Sequence, residues 1–114
     1  MLRPSVRRGK KFLRMLYNDY MSDLSPIKHF RLSDHAAFEM TRRQITRDDI
    51  ASVLAHPEQV ELIRPGRAVY QSRVEAEKPP KEYLVRVFVD IDRHPPEVVT
   101  VYRTSKIEKY WRQP

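Results

Sequence analysis

The sequence predicts an α+β domain: two helices, a four-stranded antiparallel sheet, and a short C-terminal helical turn. Three observations carry this reading. Apolar residues between Leu32 and Pro57 recur at the helical spacing of about 3.6, the spacing falls to about 2 after Glu58, and β-branched and aromatic residues fill stretches separated by proline and glycine.

The first helix begins at "LSDHAAFEMTRR", where Ser33 can cap free amides and Asp34 complements the positive helix end; it should stop near Arg43. Thr46 opens the second, "TRDDIASVLAHP". Thr46 and Asp49 have capping-box spacing, Ile50, Val53 and Leu54 form the buried stripe, and Pro57 closes the helix. "QVELIR", a Pro65-Gly66 turn and "RAVYQSRV" read as an antiparallel hairpin. After the loop "EAEKPPK", the strand "EYLVRVFVDI" places Tyr83, Val85, Val87 and Val89 on one face and Leu84, Arg86, Phe88 and Asp90 on the other. "EVVTVYR" is the last strand. "TSKIEKYWRQP" reads as a helical turn capped by Thr104 or Ser105, with Ser105 and Glu108 again at capping-box spacing.

The 114 residues suit one hydrophobic core, taken to span 29–114, and the four antiparallel strands should carry both helices on one face. Residues 1–28 read as a basic N-terminal extension, either unstructured or containing a short amphipathic helix around Phe12, Leu13, Leu16 and Tyr20. Such an acid-poor start is also compatible with an organelle transit peptide, or with an upstream stretch before a start at Met21. There is no cysteine, which excludes disulfides, thiolate metal sites and cysteine nucleophiles and fits a cytoplasmic location. No apolar run approaches the roughly 20 residues needed to span a bilayer.

A net charge of +7 suggests a nucleic-acid partner until it is divided along the chain. Residues 1–20 hold Arg3, Arg7, Arg8, Lys10, Lys11 and Arg14 against Asp19 alone, so the remainder is nearly balanced and its charge argues for no particular partner.

No spacing among His29, His35, His56 and His94 matches a zinc motif, and no cofactor is implied. His35 lies in the first turn of a helix, where the dipole disfavours a cationic ring and leaves an imidazole able to act as a base; packing against the adjacent loop explains it equally well. Tyr102, Arg103, Thr104, Ser105 and Lys106 crowd where a strand meets a helix, a place suited to an anion, although Thr104 and Ser105 suit plain capping and Tyr110 and Trp111 suit aromatic anchoring. Arg86 interrupts an apolar strand between Leu84 and Phe88, so it either snorkels or points into a cleft. Arg42 and Arg43 complement the end of the first helix.

"SDHAAFEMTRRQITRDDIASVLAHPE", "YLVRVFVD" and "VVTVYRTSKIEKYW" together resemble the domain of unknown function 4258 family of small bacterial proteins, in order from about Leu32 to Trp111. That family is similar to the RelE-like and BrnT-like toxins, whose fold places two helices before an antiparallel sheet and whose better-known members are metal-independent ribonucleases. The resemblance implies a toxin-type endoribonuclease working by general acid/base chemistry. The competing class is a non-catalytic RNA- or protein-binding module. On the resemblance, His35 would be general base or acid, Arg103 and Lys106 would stabilise charge beside Thr104, Tyr110 would be a second proton donor, and Arg42, Arg86 and Lys109 would bind substrate. The implied partners are an RNA and an acidic antitoxin. Where the family shows a glycine after the first helix this chain has Gln44, so the left-handed helix stop is expected to be less comfortable there.

Overall fold

A computed structural model describes residues 2–4 and 25–113. Its elements are β1 (Arg3–Pro4), β2 (Arg31–Leu32), α1 (Asp34–Arg42), α2 (Arg47–Ala55), β3 (Gln59–Arg64), β4 (Arg67–Ala76), β5 (Lys81–Asp90), β6 (Glu97–Thr104) and α3 (Ile107–Tyr110).

Each helix starts where its cap allows. The Ser33 hydroxyl accepts from Ala36 N at 3.0 Å and donates to Val99 O at 3.3 Å, so one residue both caps α1 and ties it to β6. Thr46 and Asp49 form the full capping box at α2: Thr46 Oγ1 accepts from Asp49 N at 3.0 Å, and Asp49 Oδ2 accepts from Thr46 N at 2.8 Å. The left-handed stop after α1 survives the loss of glycine. Gln44 sits at φ 58°, its N–H donates to Thr41 O at 3.2 Å, and Ile45 N donates to Met40 O at 2.8 Å, which is the Schellman pattern.

β3, β4, β5 and β6 form an antiparallel meander, with β4 and β5 paired from Arg67↔Asp90 to Ala76↔Lys81. The Pro65-Gly66 turn needs its glycine: Gly66 has φ 85°, and a Cβ there would lie 2.6 Å from Asp92 Oδ2. The expected four-stranded antiparallel sheet is otherwise too simple. β2 runs parallel to β6 and β1 adds to the edge of β4 beside β3, so the sheet is mixed and has six strands among the described residues. Two-residue strands carry no periodicity, which is why the sequence does not announce them.

α1 packs on β6, and α2 on β4 and β5. Between helices and sheet lies one core containing Ala36, Ile50, Leu54, Ala68, Tyr70, Val85, Val87, Val89, Val98 and Val101, all fully buried. That core reaches behind the boundary expected at residue 29. Ile27 is buried in it, Leu2 packs against it, and the Tyr70 hydroxyl donates to Ser25 O at 2.7 Å; burial pushes that phenol up to about 12. The amphipathic helix expected around Phe12–Tyr20 lies outside the described residues.

The C-terminal turn forms, but without the expected Ser105–Glu108 box. β6 runs on to Thr104, Ser105 is spent in the bend, and Lys106 precedes α3 with no side-chain cap. Thr104 Oγ1 accepts from Lys106 N at 3.0 Å instead.

Candidate functional site

Strand alternation gives the sheet a second face, away from the helices. Register places Gln59 and Glu61 of β3, Val69, Gln71 and Arg73 of β4, Leu84, Arg86 and Phe88 of β5, and Thr100, Tyr102 and Thr104 of β6 on it. Among the described residues the segment from α3 onward crosses this face, held there by polar bonds. Gln59 Nε2 donates to Arg112 O at 2.8 Å, Arg112 N donates to Gln59 Oε1 at 3.1 Å, and Gln71 Nε2 donates to Tyr110 O at 3.3 Å. Arg73 assists, bound to Glu58 through Nε (3.2 Å) and Nη2 (3.1 Å) with its guanidinium 4.0 Å from the centre of the Trp111 ring.

Arg86 is the centre of this arrangement. It is 9 % exposed, and among the described residues it pairs with no carboxylate. Neutral groups hold it: Nε donates to Gln71 Oε1 at 2.9 Å and Nη1 donates to the Tyr102 hydroxyl at 2.8 Å. Three rings surround the guanidinium, with centres at 4.3 Å (Tyr110), 5.2 Å (Phe88) and 5.9 Å (Tyr102). A desolvated cation is costly unless compensated, and here the compensation is dipoles and ring faces rather than an opposite charge.

The Tyr110 phenol is held below its ordinary range, first by the neighbouring Tyr102 hydroxyl, then by the nearby Lys109 and Arg86 cations, against the opposing effect of burial. The Tyr102 and Tyr110 rings meet edge-on at 6.2 Å. On the far side of α3 an open cleft of about 860 Å³ is lined by Arg73, Glu82, Lys106, Lys109 and Trp111 among others. Among the described residues no group of three or more metal-ligating side chains comes together, and no helix is long and apolar enough to cross a membrane.

A family model described as "Domain of unknown function (DUF4258)" matches residues 32–103, well over half of the chain. The chain belongs to the DUF4258 family. No curated protein and no solved structure matches it. Within this DUF4258 domain the matched segment supplies Gln59, Gln71, Arg86 and Tyr102, whereas Lys106, Lys109 and Tyr110 lie just past its end.

Of the residues the sequence singles out, the DUF4258 fold brings together Arg86, Tyr110 and Lys109, with Thr104 and Lys106 where the chain turns onto the same face. It sets three apart. Arg103 pairs in register with Val85 and so belongs to the helix side, where it stacks on Tyr83 at 4.6 Å and lies 3.8 Å from Glu77. Arg42 is bonded to Glu39 through Nη2 at 2.8 Å. His35 is exposed on α1, whose start is tied to Val98 and Val99 at the beginning of β6, while Lys106 follows the end of that strand.

Sequence reading misses Gln59 and Gln71 and treats Tyr102 only as one of a crowd. A signal existed. In an antiparallel hairpin each step forward on one strand is a step back on the other, so the loop "EAEKPPK" alone sets Arg86 opposite Gln71, and Pro65-Gly66 sets Gln71 opposite Gln59. A buried cation facing two amides in the middle of a sheet would have stood out.

Proposed function

We propose that this DUF4258 domain is a metal-independent endoribonuclease of the toxin type, with its centre on the sheet face away from the helices. The observation that carries the reading is a buried Arg86 guanidinium with no carboxylate partner among the described residues, in ring contact with a Tyr110 phenol held below its ordinary range. A ribonuclease of this kind needs a base for the 2′-hydroxyl and fixed positive charge for the phosphorane. Tyr110, as phenolate, takes the 2′-hydroxyl proton; the 2′-oxygen attacks phosphorus; Arg86 stabilises the developing charge; and the departing 5′-oxygen takes a proton from solvent. Lys106, Lys109 and Thr104 lie where flanking phosphates would bind. His35, Arg103 and Arg42 play no part in this chemistry. A cytoplasmic location and an acidic antitoxin as the physiological partner belong to the same reading.

The test is cleavage of single-stranded RNA by pure protein in excess chelator, comparing wild type with Tyr110→Phe, Arg86→Met and His35→Ala. Losses of about 10²-fold or more are expected for the first two, with His35→Ala close to wild type. Equal rates in all four proteins remove the assignment. Tight, salt-sensitive RNA binding with no cleavage by wild type transfers the site to the binding-module class.

A further inference from the structure

The sheet face away from the helices holds a continuous polar chain whose direction can be read atom by atom. Gln59 Nε2 donates to Arg112 O and its Oε1 accepts from Arg112 N, which fixes the orientation of that amide. Gln59 Oε1 also accepts from Gln71 Nε2 at 2.7 Å, so Gln71 must present its own oxygen to the other side. That oxygen accepts from Arg86 Nε at 2.9 Å. Arg86 Nη1 in turn donates to the Tyr102 oxygen at 2.8 Å, and a hydroxyl whose oxygen is occupied in this way turns its proton outward. The Tyr110 ring lies next to that of Tyr102, edge-on with centres 6.2 Å apart.

Gln71 is the hinge of this chain. It is 3 % exposed, sits mid-strand on β4, and grips both ends of the arrangement: the Arg86 side chain through its oxygen and the Tyr110 backbone through its nitrogen. A buried amide with both ends satisfied is rigid, and a network satisfied at every member specifies one geometry. Glutamate would fit the same space, but it would neutralise Arg86 directly and could not donate to Gln59 or to the Tyr110 carbonyl. Neutrality is therefore the property the position needs.

We infer that Gln71 is a positioning residue: by fixing Arg86 and the chain segment at Tyr110 together, it holds the Arg86 guanidinium against the Tyr110 ring, with the Tyr102 hydroxyl bonded to Arg86 beside it. The groups facing the Tyr110 ring are Arg86 from β5, Tyr102 from β6 and Lys109 from α3, and Gln71 bonds the first and reaches the second through it. Its consequence for catalysis rests on the ribonuclease reading; its effect on the state of Tyr110 does not.

The experiment is a phenolate absorbance titration of the full chain, with folding followed in parallel by circular dichroism. Wild type should show one tyrosine titrating ahead of the rest, absent in Tyr110→Phe. In Gln71→Met, which keeps the side-chain volume, that early titration should move to higher pH and merge with the others. Val69→Ala is the control: Val69 is fully buried on the same strand and face, so this variant should lose comparable stability while the early titration stays in place. If Gln71→Met is too unstable to titrate, Gln71→Glu decides, because a carboxylate on Arg86 should move the titration in the same direction. An early Tyr110 titration unchanged in Gln71→Met, or in Gln71→Glu where that variant decides, overturns the inference. A shift accompanied by no RNA cleavage in wild type leaves the positioning role standing and removes the ribonuclease.

Discussion

The two faces of the central sheet are made by alternate residues of the same strands, yet they solve opposite problems. Toward the helices, Val85, Val87, Val89, Val98 and Val101 make a fully buried surface with no charge in it. Toward the C-terminal segment, Gln71, Arg86 and Tyr102 occupy the matching positions in register, and a cation is buried among amides and rings. The first face is organised by apolar area, the second by hydrogen-bond direction. Stability and chemistry are thereby assigned to different sides of one sheet, and substitutions on each side should be separable in kind.

The largest expected effect breaks the helix face. Leu54, fully buried in the core, should cost about 2 to 5 kcal/mol on substitution by alanine, from lost burial and the cavity left behind. Because Leu54 packs on the helix side of the sheet and Arg86 lies on the other, cleavage per folded molecule should be unchanged. Denaturant unfolding with a rate measured on the folded fraction checks both halves. A rate that falls along with the midpoint would mean that the two faces are not independent.

Arg86→Met makes the reverse prediction. Gln71 and Tyr102 each lose a donor, while a desolvated charge is relieved, so the stability cost should be about 1 to 3 kcal/mol, below that of Leu54→Ala. The loss in cleavage should be about 10²- to 10³-fold. An Arg86→Met protein that unfolds more easily than Leu54→Ala, or that cuts as well as wild type, would make Arg86 a structural residue.

How much of this the sequence discloses differs between the same two faces. The helix face is legible because its determinants are local or periodic: Ser33 and Thr46 cap as their spacing implies, and the valines of β5 alternate as expected. The other face is half legible. Arg86 is conspicuous within its own strand, but its meaning depends on Gln71 and Gln59, which are unremarkable glutamines until register puts them in a row. His35 and Arg103 stand apart from Arg86 for the related reason that closeness to a helix start or strand end says nothing about the side of the sheet. Arg103 lies one residue from Tyr102 and for that reason faces the other way.

A smaller effect sharpens the local part of this lesson. Gln44 holds a left-handed conformation that glycine adopts without strain, and its N–H already completes the Schellman pattern. Gln44→Gly should stabilise the domain by about 1 kcal/mol, the steric gain being partly offset by greater freedom of the unfolded chain. A lowered unfolding midpoint would show that the glutamine side chain contributes more than its backbone costs.

The smallest effect concerns arginines that do have a carboxylate. Arg42 and Arg43 share Glu39, whose carboxyl they hold down at about 2 from an ordinary value of 4.5, mainly through their hydrogen bonds to it. A depressed carboxyl favours the fold when it is charged in both states, so its contribution is complete above about pH 4.5 and fades as pH falls toward about 2. The Arg42 and Arg43 side chains are 54 % and 36 % exposed, so water and salt screen the pairs and the contribution should be smaller than that of Gln44→Gly. Urea midpoints of wild type and Glu39→Gln should therefore differ slightly near neutral pH, converge through that acid window, and draw together when salt is added. A gap indifferent to both pH and salt would show that Glu39 acts by packing, and Arg86 would then lose its contrast with arginines whose charge is met by an acid.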